Sequence, residues 1–126
     1  MSEHSPTAPS GVLRLPAEGP AIGDESAAMD VIGDALGRDA AWVLVPAERF
    51  PDEFFTLSTR IAGGIVQKFA TYRVGLAVLG DISRHTLASG ALRDFVRESN
   101  RGGQLWFPAD LAEFETRLAA RSGALR

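Results

Sequence analysis

Three short apolar runs, AWVLVP at 41–46, VGLAVLG at 74–80 and QLWFP at 104–108, are separated by segments whose apolar residues recur at spacings of three and four. The runs are too short for helices of their own and are rich in strand-forming residues. The segments between them far exceed a hairpin turn, so successive strands must be joined by crossovers and pair in parallel. GVLRLPA at 11–17 adds a first short strand stopped by Pro16.

The connecting segments carry helical stripes. Between Ser26 and Leu36 the stripe is Ala28, Val31, Ile32, Ala35 and Leu36, with Gly37 as its C-cap. The longest pattern lies in FPDEFFTLSTRIAGGIVQKFATY, where Leu57, Ile61, Gly64, Ile65, Lys68, Phe69 and Tyr72 predict a helix from Ser58 to Tyr72. Two adjacent glycines inside it, Gly63 and Gly64, point to close backbone packing or a hinge. SGALRDFVRESN sets Leu92, Phe95, Val96 and Ser99 on one face, and ADLAEFETRLAARSG places Leu111, Phe114, Glu115 and Leu118 behind a capping Asp110. The expectation is an α/β fold: a single layer of about four mainly parallel strands alternating with four helices. VGLAVLG, the most apolar run, belongs at the centre of the sheet.

At 126 residues the chain supports one core, taken as a single domain over residues 12–126 behind a polar, small-residue tail, MSEHSPTAPSG, over 1–11. The absence of cysteine removes disulfides, thiolate catalysis and cysteine-ligated zinc or iron–sulfur sites. His4 and His85 are the only imidazoles, so neither a metal nor a cofactor is expected. A net charge of −3 spread over both halves provides no basic field, which disfavours nucleic acid. No apolar run approaches the roughly 20 residues that span a bilayer, and the start lacks a basic, apolar leader, so a cytoplasmic, membrane-free protein is expected.

From Ala41 onward, FFTLSTRIAGGIVQKFATY, LAVLGDIS, LRDFVRESNRGGQLWF and the terminal helix resemble an uncharacterised bacterial family, domain of unknown function 4180. The order of strand AWVLVP, helix opening at LSTRIAG, strand LAVLGD, helix ALRDFVRESN, strand QLWF and closing helix also resembles STAS domains, the anti-sigma-factor-antagonist fold. That second likeness implies a regulatory, non-enzymatic role, with a phosphorylatable hydroxyl at Ser58 or Thr59 at the head of the helix. The turn departs from the STAS pattern: Arg60 and Ile61 follow Thr59, and the first glycine is Gly63.

VLGDISRH at 78–85 leaves the central strand at the edge where parallel sheets commonly bind ligands. There Asp81, Ser83, Arg84 and His85, with Arg93 one turn into the following helix, could surround an anionic ligand. Their plainer reading is a strand exit, a helix cap and two solvated cations. Ser83, His85 and Asp81 have the residue types of a hydrolytic triad, but near neighbours in a loop rarely face one another and Gly-x-Ser-x-Gly is absent. Asn100 and Arg101 could face a partner, while Asn100 or Gly102 could equally supply the left-handed step of a helix exit. Phe54, Phe55, Gln67 and Lys68, with Arg49 nearby, would frame an apolar contact surface with a cationic rim, unless the paired aromatics close the core.

Two functions follow. The first is a regulatory or protein-interaction module whose partner is another protein, with a homodimer compatible; the alternative is a binding or enzymatic domain for a small anion. A concave pocket at Asp81 to His85 favours the second, and a flat exposed patch around Phe54, Phe55 and Ile61 favours the first.

Overall fold

The computed structural model describes residues 11–124. Its elements run in the order β1 (Val12–Arg14), α1 (Glu25–Gly37), β2 (Trp42–Pro46), α2 (Ile61–Thr71), β3 (Gly75–Leu79), α3 (Ser83–Ala88), α4 (Gly90–Arg101), β4 (Leu105–Trp106) and α5 (Leu111–Ala124). Among the described residues the four strands form one sheet in the order β1-β2-β3-β4, every neighbouring pair parallel. The α/β class is as expected, with five α-helices among the described residues because α3 stands apart from α4.

Parallel crossovers are almost always right-handed, so a strand order that never reverses sends every connecting helix to the same face. The core divides accordingly. Val43, Val45, Leu76 and Val78 face Ala28, Ile32, Ile65, Phe69 and Leu92 from α1, α2 and α4, whereas Trp42, Leu44, Ala77 and Trp106 face Phe114 of α5. Covered on both sides, β2 and β3 have no polar alternation, and Val43, Leu44, Leu76, Ala77 and Val78 are fully buried. On the α5 side the indoles of Trp42 and Trp106 stack at 4.2 Å, and Phe114 meets them edge-on at 5.7 and 5.9 Å. Gly75 makes room for this stack, since a Cβ there would stand 2.5 Å from the Trp42 ring.

Several expectations need correction. The long helix begins at Ile61, because Pro51 starts a separate 3₁₀ turn, Asp52–Phe55, that turns Phe54 and Phe55 into the core. Ser58 and Thr59 lie in a further 3₁₀ turn, Leu57–Thr59, and Arg60 then takes a left-handed φ of 65°. Gly37 is still helical, and the left-handed step after α1 is made by Asp39 at φ 57°. Asn100 lies inside α4, and Gly102 leaves it extended, so neither supplies a left-handed exit. Gly64 does pack closely, beneath the Glu25 carboxylate of α1, while Gly63 faces open space. Of the expected tail, Gly11 is tied to the sheet by its carbonyl, which accepts from Ala41 and Trp42 N–H at 2.7 and 3.3 Å; residues 1–10, His4 included, lie outside the described residues.

Candidate functional site

At the C-terminal ends of β2 and β3 the two exit loops enclose an open cleft of about 640 Å³. Glu48, Asp52 and Phe55 line it from the β2 side, and Gly80, Asp81, Ile82, Arg84 and His85 from the β3 side. The chain turns out of β3 at Gly80, whose φ of 132° suits glycine, and the Gly80 N–H donates to the Pro108 carbonyl at 3.1 Å. Asp81 Oδ1 then accepts from Ser83 N–H at 2.9 Å and opens α3. That backbone bond, and secondarily a bond from the Ser83 hydroxyl, holds the Asp81 carboxyl below its ordinary value of 3.8.

His85 lies flat on Phe55, ring centroids 4.2 Å apart and planes 13° apart, with its side chain 15% exposed. Burial holds its pKa below 6.5; the adjacent Arg84 adds to the depression, and Asp52 partly opposes it. Asp52 links the two loops. Its Oδ1 accepts from Arg84 Nη2 at 2.8 Å and stands 3.9 Å from His85 Nε2, beyond hydrogen-bond reach.

The structure thus brings together Asp81, Arg84 and His85 but not the remaining expected residues. The Ser83 hydroxyl serves Asp81, while His85 faces Phe55 and Asp52, so no nucleophile–base contact forms. Arg93 turns to the Thr86 carbonyl, Nη1 to oxygen 3.0 Å, tying α4 to α3 and leaving the cleft untouched. Asn100 and Arg101 end α4 at the opposite edge of the sheet, where Asn100 Oδ1 accepts from Phe107 N–H at 2.8 Å and Arg117 donates to the Asn100 carbonyl. Arg101 lies 3.7 Å from Glu98.

The expected apolar docking surface is absent. Phe54 and Phe55 are 1% and 4% exposed and pack against each other and Phe50. Gln67 is near Thr71 on its own helix, and Lys68 lies 3.7 Å from Glu25 of α1. Thr59 and Ser58 are exposed, but the Thr59 hydroxyl sits within 2.7 and 2.8 Å of the Glu53 and Thr56 carbonyls and accepts from Ile61 N–H.

Two cleft residues were not expected from the sequence, and a third residue, a cation, was expected in the wrong place. Glu48 and Asp52 place carboxylates in the cleft, and their one signal was position, just after the proline-stopped strand. Arg49, expected on an exposed rim, is instead buried and donates to the carbonyls of Pro16 and Pro20. Among the described residues no group of three or more His, Asp or Glu is placed to hold a metal ion, and no helix is long and apolar enough to cross a membrane.

A family model described as domain of unknown function (DUF4180) matches residues 7–118. Nothing among curated proteins and nothing among solved structures matches the chain.

Proposed function

Because the chain belongs to the DUF4180 family, whose description names no activity, we propose its function from the cleft: a non-enzymatic domain that binds a small polar molecule between the β2 and β3 exits. The observation that carries this reading is the convergence of both loops on one cleft, joined across it by the Asp52–Arg84 pair. The cleft is open to water and holds no paired nucleophile and base, which suits binding better than a reaction that must exclude solvent.

Charge selects the ligand. Glu48, Asp52 and Asp81 contribute carboxylates, Arg84 is committed to Asp52, and His85 favours its neutral form, so an anion would meet like charge. An ammonium or a molecule with several N–H or O–H donors meets acceptors, with Phe55, Ile82 and the His85 ring as its apolar wall. Thermal-shift titration with small amines, polyols and phosphate tests the assignment. Amines are expected to stabilise the protein, and Asp81→Asn with Glu48→Gln to abolish that shift. Stabilisation by phosphate alone, or shifts indifferent to both substitutions, would refute it.

A second reading, contact with a further protein chain, is favoured by Leu87, which is 80% exposed on α3 beside the cleft. Its simplest form is a homodimer. Sedimentation over a concentration series should then show a dimer that Leu87→Ser removes, and a monomer at every concentration would rule that form out.

A further inference from the structure

Among the described residues Arg49 is the buried charged side chain, 8% exposed. Its guanidinium carries five N–H donors. Three are spent on neutral carbonyls, Nε and Nη2 on Pro20 at 3.1 and 3.0 Å and Nη1 on Pro16 at 2.9 Å, which leaves two. Among the described residues no carboxylate forms an ion pair with it, and a buried cation without a direct counter-ion carries a standing cost.

Arg49 lines a cavity of about 210 Å³ between the 15–22 segment and α1, sharing no residue with the β2–β3 cleft. Ile22, Ala27 and Val31 form apolar walls, and Asp30 and Asp34, one helical turn apart on α1, bring carboxylates to the same cavity. Asp34 is paired with Arg38 at 3.0 Å, whereas Asp30 meets no cation among the described residues.

These charges select against simple ligands. A plain carboxylate would satisfy Arg49 but be repelled by Asp30, a plain amine would do the reverse, and a hydrocarbon would leave both uncompensated. A molecule with both charges close together on an apolar body satisfies every wall. We propose that this cavity is a binding site for a small zwitterion, an α-amino acid with an apolar side chain, its carboxylate on Arg49, its ammonium at Asp30 and its side chain on Ala27 and Val31. The volume suits this class, being below the roughly 300 Å³ at which sites for drug-sized ligands begin. Arg49 keeps two N–H groups for the ligand, on a guanidinium whose position is already fixed by the two proline carbonyls.

The test is a methyl NMR titration that follows Ile22, Ala27 and Val31, with L-leucine, 4-methylpentanoate and isoamylamine as probes. L-Leucine should give saturable shifts at these methyls, and each singly charged analogue should bind about tenfold more weakly or worse, the loss expected for one charge-assisted hydrogen bond. Asp30→Asn should weaken L-leucine by a similar factor without weakening 4-methylpentanoate. Val31→Trp, which fills the cavity from a half-buried position on α1 and spares Arg49, should abolish binding. The proposal is overturned by an analogue that binds as tightly as L-leucine, by Asp30→Asn leaving L-leucine affinity unchanged, or by no saturable shift up to about 10 mM, within the weak range of simple ligands.

Discussion

Replacing Asn100 with alanine should cost about 2 kcal/mol of folding stability, because it strands a buried backbone donor. The Asn100 side-chain oxygen accepts from Phe107 N–H at 2.8 Å, and Phe107 is 8% exposed. β4 is only two residues long, Leu105–Trp106, and pairs only with β3, so this side-chain bond does work that a longer ladder would do with backbone alone. A buried donor left without an acceptor costs roughly 1–3 kcal/mol, and the midpoint of that range sets the magnitude. Asn100→Asp keeps the acceptor and should lose less than about 1 kcal/mol, whereas Asn100→Leu, of similar size but without an acceptor, should lose as much as alanine. Urea unfolding followed by tryptophan fluorescence measures the difference, with an unchanged m-value confirming that the native state has not been loosened. In thermal melts the alanine variant should fall by roughly 6–8 °C for a domain of this size. Equal losses for the Ala and Asp variants would refute the account, since they would show that side-chain volume and not the accepted hydrogen bond holds the edge strand.

The remaining expectations concern the aromatic stack and the cleft. Gly75→Ala places a methyl into the Trp42 ring and should cost about 1–3 kcal/mol with a changed near-ultraviolet tryptophan spectrum; native stability with an unchanged spectrum would mean that the indole yields freely. His85 titrates below 6.5 when folded, so the unfolded chain binds more protons just under that value and stability must fall as pH drops through it; urea midpoints between about pH 7 and 5.5 should show this slope, and His85→Gln should flatten it. A slope retained in the variant would assign it to another group. Arg84→Ala removes an ion pair whose partners are 72% and 70% exposed, so stability should change by less than about 1 kcal/mol even though the loops lose their link across the cleft. A larger loss by chemical denaturation would show that the pair holds the fold.

The elements of the fold were legible where one local rule decided them. AWVLVP and VGLAVLG have no polar residue to present to water, so they could only be inner strands, and Ser89 and Asp110 cap α4 and α5 as their positions suggest, accepting from Leu92 and Glu113 N–H at 3.1 and 2.9 Å. What failed depended on contacts distant in sequence. Phe54 and Phe55 are followed directly by a helical pattern, yet their burial against Phe50 sets them in a separate turn and moves the start of α2 to Ile61. Arg49 reads as a surface cation until the 16–20 segment folds over it, and Gly19 is where that loop can pass, a Cβ there falling 2.7 Å from the guanidinium. Asn100 is a residue type common at helix exits, yet it lies inside α4, where its side chain accepts from the distant Phe107 N–H. The candidate site divided the same way, with Asp81, Arg84 and His85 found from one loop and Glu48 and Asp52 supplied by the neighbouring one.

Strand length explains why the cleft opens where it does. β2 and β3 pair over five positions, ending at Pro46 opposite Leu79, whereas β1 last pairs at Arg14 with Leu44 and β4 at Trp106 with Ala77. The two inner strands therefore run two positions past their neighbours on both sides. Their exits run beyond the paired positions of the flanking strands, and although Arg49 ties the β2 exit to the 16–22 segment and Gly80 ties the β3 exit to Pro108, the two loops face each other across the cleft. A strand order that never reverses creates no switch-point crevice, so the cleft at this edge of the sheet is made by that difference in length. The same geometry places the Asp52–Arg84 pair and the Phe55–His85 stack across the gap between the loops, where they set its width. Occupation of the cleft would then be felt first at α3, which is six residues long, begins at Ser83 and is held by Asp81, Asp52 and Arg93 together with the His85–Phe55 stack. Anchored by the His85–Phe55 stack and otherwise by exposed polar contacts, α3 is the element whose position a ligand can change at least cost, and the exposed Leu87 moves with it.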